Sequence, residues 1–145
     1  MRKTIFWAYI LLACLFTACQ DSSKLIVSDL QCEYLNAPLA IDNTTPHFGW
    51  KMTGAQNGIS SSAYQVLVAT ELDKLNEEEA DLWNSGKISS DTSLGIVYGG
   101  KALNSRTQAY WKVRVWNQAD VPSEWSKPAS FGIGMLSEND WSAEA

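Results

Sequence analysis

The chain has 145 residues, 11 basic and 16 acidic side chains, a formal charge of −5 and 46% hydrophobic content, which suits one globular domain and excludes a disordered or fibrous chain. It has an acidic balance and no Lys/Arg cluster, so nucleic acid is not an expected partner, because such affinity rests on cationic contacts to phosphate. His47 is the only imidazole, which leaves one possible centre for a Ser-His-Asp or Cys-His constellation and none for a multi-His metal site.

Residues 1–18 read as a secretory signal. Arg2 and Lys3 make a positive start, and Ile5 to Phe16 is an apolar run of about a dozen residues, short of the 18 or more that span a membrane. Leu15-Phe16-Thr17-Ala18-Cys19, followed by the polar Gln20-Asp21-Ser22-Ser23, resembles the lipobox of bacterial lipoproteins. That resemblance makes Cys19 the acylated residue and residues 19–24 a polar tether. Leu11-Leu12-Ala13-Cys14 is a second match by residue type, and simple cleavage with secretion is a third outcome. Several acyl chains on one terminus would anchor the protein stably, where a single chain binds marginally. The expected location is therefore an exported, membrane-anchored lipoprotein in the periplasm or on the cell surface. Losing Arg2 and Lys3 takes the 11 basic residues to 9 and the formal charge from −5 to −7. Cys32 is then the one thiol left for the domain, which must fold without an internal disulfide.

Short strands fill the remainder. Ile26 to Tyr34 alternates with Leu30, Cys32 and Tyr34 on one face, which predicts Cys32 as a small buried hydrophobe. Turn residues 42–46 and 54–58 bracket a second strand over Phe48 to Met52, and a third runs from Tyr64 to Val68. Thr70 to Asp73 has the form of a capping box, so one helical turn is predicted over Thr70 to Leu75. Glu77-Glu78-Glu79 is read as a solvated loop, since contiguous carboxylates point in different directions and nothing else supplies metal ligands. Leu82 to Gly86 and Gly95 to Tyr98 are short strands. Ala109 to Trp116 is the strongest one: Trp111, Val113 and Val115 share one face, and Tyr110, Lys112, Arg114 and Trp116 share the other. Ala129 to Ile133 closes the series. About seven strands between Leu25 and Gly134, with no helix long enough to cover a sheet, predict an all-β antiparallel sandwich over residues 25–134.

The run Tyr110-Trp111-Lys112-Val113-Arg114-Val115-Trp116-Asn117, with Pro122-Ser123-Glu124-Trp125-Ser126-Lys127-Pro128-Ala129-Ser130-Phe131, resembles strands F and G of a fibronectin type III domain, with Trp111 where that family usually has its corner Tyr. An indole N–H can donate there, but its reach differs from a phenol's. Adding Leu30-Gln31-Cys32-Glu33-Tyr34, Pro38 to Asp42, Pro46-His47-Phe48-Gly49-Trp50, Ala63 to Ala69, Asp81 to Lys87 and Asp140-Trp141 narrows it. The ordered set resembles the N-terminal immunoglobulin-like module of bacterial α-L-rhamnosidases of glycoside hydrolase family 78.

That resemblance implies a part of an enzyme, with no catalytic residue, cofactor or metal of its own. In that family further sandwiches and a helical barrel follow, and the barrel carries an inverting acid–base pair acting on terminal L-rhamnose. Residues 135–145 are accordingly expected to start a linker to a downstream domain, and the chain to be a fragment of such a glycosidase. The competing reading is a free-standing surface lipoprotein with a glycan-binding or adhesion sandwich. Trp50, Trp83 and Trp111 fall in core phase, while Tyr110, Trp116 and Trp125 form a candidate aromatic face, for packing on downstream domains or for weak stacking on a glycan. Trp125 is also placed to take Lys112 and Arg114 against its ring.

Overall fold

The computed structural model describes residues 24–54 and 58–141. The expected leader with Cys14 and Cys19, and the expected tether up to residue 23, lie outside the described residues. The alternating segments become eight strands: β1 (Ile26–Cys32), β2 (His47–Thr53), β3 (Ala63–Ala69), β4 (Trp83–Asn84), β5 (Ile88–Ser89), β6 (Leu94–Val97), β7 (Gln108–Trp116) and β8 (Ala129–Gly132). A 3-10 turn over Glu138–Asp140 follows.

One sheet has the order β1-β2-β6 and the other β4-β3-β7-β8, with β5 also pairing β3. Every named pairing is antiparallel, as the sequence predicts. The strand the alternation missed is β5. It lies along the same edge of β3 as β4: Val68 faces Trp83 and Tyr64 faces Ile88. Gly86, at φ +63°, sits in the break between them. There the Ser85 hydroxyl accepts from the Val66 N–H at 2.8 Å and the Ser85 N–H donates to the Val66 carbonyl at 3.0 Å, so one residue satisfies both backbone groups of Val66 across the break.

The two sheets meet through rings. Phe48 of β2 lies 4.4 Å from Trp111 of β7, centroid to centroid, and Phe131, Tyr98 and Trp83 gather round Phe48 at 5.6 to 6.4 Å. Trp50 packs edge-on against Tyr64 at 5.5 Å. Such pairs add about 0.5–1.5 kcal/mol each beyond the area they bury. Trp111 is fully buried. Among the described residues its Nε1 finds no acceptor, so the indole fills the corner position by volume without supplying a corner hydrogen bond.

Two local expectations are corrected. The strand drawn to Tyr34 stops at Cys32, because Glu33 and Tyr34 both take left-handed backbone, φ 50° and 62°. They form the two-residue turn of a tight hairpin closed by Cys32 and Leu35, whose N–H groups and carbonyls exchange bonds of 3.0 Å. Cys32 is buried as predicted, while Tyr34 stands 63% exposed at the turn. The helical turn predicted over Thr70 to Leu75 does not form: residues 70–75 are bends and a single turn. Thr70 spends its capping groups eleven residues away, its N–H and hydroxyl donating to the Asp81 carboxylate at 2.8 and 2.6 Å. A long-range carboxylate outcompetes the local one.

Candidate functional site

The outward side of β7 presents Tyr110, Lys112, Arg114 and Trp116, and the segment after β7 returns to lay Trp125 among them. Ser123 and Ser126 hold that return in place. Their hydroxyls accept from the N–H groups of Val115 and Val113 at 3.1 and 3.0 Å. Their own N–H groups donate to the carbonyls of the same two residues at 2.7 and 2.9 Å. The indole is thereby aimed at the cations of β7. Lys112 Nζ lies 4.9 Å and Arg114 Cζ 4.6 Å from the Trp125 ring centroid. Arg114 also lies 4.9 Å from the Trp116 ring, over which Lys87 comes to 4.8 Å. The result is a ladder of alternating cations and indoles in the order Lys112, Trp125, Arg114, Trp116, Lys87. Each rung is worth about 0.5–1 kcal/mol at an exposed site and more where water is excluded.

Arg114 is the hinge of this ladder. Its guanidinium donates to Gln65 Oε1 on β3 at 3.2 and 2.9 Å, the residue directly opposite in register. It also pairs with Glu77. That last contact ties the acidic run to the sheet, so one residue of the expected solvated loop acts as a latch. Beneath the loop, Leu75 packs with Leu67 and Ala69 in a second small core, flanked by Ala80, Tyr110 and Trp125. This covering gives the outward face of β3 an interior of its own, and all seven β3 positions are buried.

The three aromatics singled out from the sequence therefore sit differently. Trp116 is only 7% exposed, with both Lys87 and Arg114 against its ring. Trp125 and Tyr110 are partly buried and each lines an open furrow. One furrow, of about 690 Å³, runs between β1 and the segment before β8 and includes Lys24, Ile26, Glu124 and Trp125. The other, of about 630 Å³, includes Asn36, Leu72 and Tyr110. They share Asp29, Leu30, Pro128 and Ala129 in their walls, so the two furrows are neighbours beside β1 and the start of β8.

The carboxylates with displaced titration are structural clamps. Partial desolvation works to raise Glu33, but bonds from the His47 ring and N–H and from Asn43 outweigh it and hold the carboxyl below its ordinary value. Desolvation also opposes the shift at Asp81, where the Thr70 hydroxyl and N–H and the charge of Lys74 prevail and lower it. Asp140 is lowered by the Ser105 hydroxyl and the Ser137 N–H. A general acid requires the reverse, a carboxyl raised above its ordinary range. Burial pushes the Cys32 thiol up to about 12, with the Glu33 charge adding to it, so this thiol is no nucleophile at neutral pH. Among the described residues no group of three His, Cys, Asp or Glu side chains is placed to hold a metal ion.

The sequence pointed to Trp125 with Lys112 and Arg114 but missed Lys87 and Arg114 against the Trp116 ring, and it missed Gln65 and Glu77, which lock the ladder. The missing signal is tertiary: Gln65 meets Arg114 only through the register of β3 on β7, and Glu77 only through the path of the loop.

Comparison with known proteins agrees with this architecture. The family model described as the Rha78A-like, N-terminal immunoglobulin domain matches residues 27–137. An α-L-rhamnosidase of Formosa agariphila is 41% identical over 141 residues, covering 94% of this chain and 15% of that protein. The crystal structure of the Streptomyces avermitilis α-L-rhamnosidase complexed with L-rhamnose superposes with a TM-score of 0.78 at 39% identity, over 83% of this chain and 12% of that one. The α-L-rhamnosidase structure from Dictyoglumus thermophilum gives 0.76 at 34% identity, over 83% and 14%. The chain thus spans about one-seventh of the length of such relatives. Because that family model matches residues 27–137, well over half of the sequence, this chain belongs to the Rha78A-like N-terminal immunoglobulin domain family.

Proposed function

We propose that this chain is the non-catalytic N-terminal accessory module of a secreted, lipid-anchored α-L-rhamnosidase acting on rhamnose-containing plant polysaccharides or glycosides. The observation that carries the reading is one of extent. The likeness covers 94% of this chain but only 15% of a whole α-L-rhamnosidase, and the matching family model is described as an N-terminal immunoglobulin domain. The chemistry supports it. Inverting hydrolysis needs two carboxyls about 6.5–9.5 Å apart across a sugar, one of them raised, whereas Glu33, Asp81 and Asp140 are all held down. Purified chain incubated with a chromogenic α-L-rhamnoside is expected to release nothing, and release of L-rhamnose by the chain unaided would overturn the reading. The anchor is tested separately: Cys19→Ala is expected to move the protein from the membrane to the soluble fraction.

A second reading, a weak glycan contact, is favoured by the two adjacent furrows, one lined by Trp125 and the other by Tyr110. Partly exposed rings in an open groove suit sugar stacking, although Lys112 and Arg114 already lie against Trp125. Titration with rhamnogalacturonan fragments should then quench Trp fluorescence at millimolar sugar, and no quench removes this reading.

A further inference from the structure

We propose that the Tyr110 furrow is a binding subsite for one neutral 6-deoxyhexosyl residue of a glycan. This rests on the reading of a weak glycan contact given above, and it selects one of the two furrows and one class of sugar. The selection of the furrow comes from what each aromatic ring already touches. Trp125 has Lys112 and Arg114 against its ring, and Trp116 is buried beside Arg114 and Lys87. The Tyr110 ring meets neither a cation nor a second ring among the described residues. Its register neighbours on β3 and β8 are the small Ala69 and Ser130, so no bulky side chain directly opposite shields it. It packs against the small core of Leu67, Ala69 and Leu75 and lines the furrow of about 630 Å³, a size within the range of about 300–1,000 Å³ typical of small-ligand sites.

The other lining groups select the sugar. The Tyr110 hydroxyl, the Asn36 amide and the Ser130 hydroxyl have no hydrogen-bond partner among the described residues. Together they donate and accept, which suits sugar hydroxyls that do both. Asp29 adds a carboxylate, paired with Lys51 at 2.9 Å but with lone pairs to spare for a hydroxyl. It comes from the bulge where β1 breaks register between Ser28 and Gln31, with its own backbone at φ 49°, and a bulge of this kind re-aims side chains. No cation lines this furrow among the described residues, so a uronate would meet a carboxylate and find no counter-charge, a penalty that a neutral sugar escapes. Leu30 and Leu72, the latter 55% exposed, supply an aliphatic wall. A methyl group on C5 of the sugar buries apolar surface against that wall, where a hydroxymethyl would leave its hydroxyl without a partner.

The test follows NMR shifts of the isotope-labelled chain during titration with three glycosides: methyl α-L-rhamnopyranoside, methyl α-L-mannopyranoside, which differs by a hydroxyl on C6, and methyl α-D-galacturonoside. The rhamnoside is expected to bind in the millimolar range and to move the signals of Asp29, Asn36, Leu72, Tyr110 and Ser130. The mannoside should bind at least about threefold more weakly and the galacturonoside at least about tenfold. Tyr110→Ala should weaken the rhamnoside at least about tenfold. Because Tyr110 also packs on the small core, the exposed and unpartnered Asn36 provides a variant that leaves folding alone, and Asn36→Ala should weaken binding at least about threefold. A mannoside or galacturonoside bound as tightly as the rhamnoside, or unchanged affinity in Asn36→Ala, overturns the assignment. Shifts confined to residues around Lys24 and Trp125, or seen only with rhamnogalacturonan fragments, overturn it too and leave the weak glycan contact standing. If neither the three glycosides nor those fragments move any signal, both fall.

Discussion

The two faces of β7 bury tryptophan in opposite ways. Inward, Trp111 meets Phe48 at 4.4 Å in a core of rings, with its N–H unpaired among the described residues. Outward, Trp116 and Trp125 meet Arg114, Lys112 and Lys87, and the Arg114 head reaches Glu77 and Gln65 while the Lys87 head reaches Asp120. The inner face excludes water and gains from area and ring packing. The outer face cannot exclude it, so it covers its indoles with long cationic side chains that are apolar along the stem and wet at the tip. A single alternating strand thereby serves a dry core and a half-wet one, and only the first depends on the other sheet.

This contrast can be broken from the inside first. Trp111→Ala should cost about 3–5 kcal/mol, the scale for removing a fully buried aromatic, read as a fall in the urea midpoint. A loss under about 1 kcal/mol would mean that the core relaxes into the gap and that the ring stack is not what joins the sheets. On the outer face Arg114→Met, which keeps the stem and drops the guanidinium, should cost about 1–2 kcal/mol. Its coupling to Trp125→Leu in a double-mutant cycle should be about 0.5–1 kcal/mol. Zero coupling would reduce the ladder to coincidence of position.

Acid offers a finer cut. Glu33 and Asp81 are held below their ordinary values of 4.5 and 3.8, so both favour the fold when ionised. Their contribution is fully present above about pH 5 and is lost as pH falls through those ordinary values toward the lower folded ones. Asp81→Asn should therefore flatten the acid limb of stability against pH, loosening the covered outer face while the ring core holds. An unchanged acid limb would show that Thr70 and Asp81 do not secure the loop. The smallest expected effect is chemical: Cys32, with its thiol raised to about 12, should resist iodoacetamide at pH 8 until denaturant is added, as followed by peptide mass spectrometry.

Much of this was legible in the sequence for a definable reason. Period-two alternation is a local property, so Ala109 to Trp116 and Tyr64 to Val68 could be placed on strands within a residue or two of Gln108–Trp116 and Ala63–Ala69. The contact of Trp125 with Lys112 and Arg114 was legible too, because strands that follow one another tend to pair. The strand β5 was not, since Ile88-Ser89 follows straight on the turn at Gly86 and only its pairing with Ala63 and Tyr64 of β3 marks it as a strand. Nor was the turn at Glu33-Tyr34, where neither residue type announces a left-handed backbone.

The sequence by itself determined the sandwich, the inward phase of Trp50 and Trp111, and the burial of Cys32, because each follows from which side of a pleat a residue occupies. Only the tertiary structure decided that Thr70 reaches Asp81, that Glu77 latches onto Arg114, that Trp116 is covered, and that Leu39 and Trp141 stand exposed. Those outcomes depend on register between strands distant in the chain and on the path of loops, where a partner many residues away competes with the local one and wins by geometry that no short window of sequence contains.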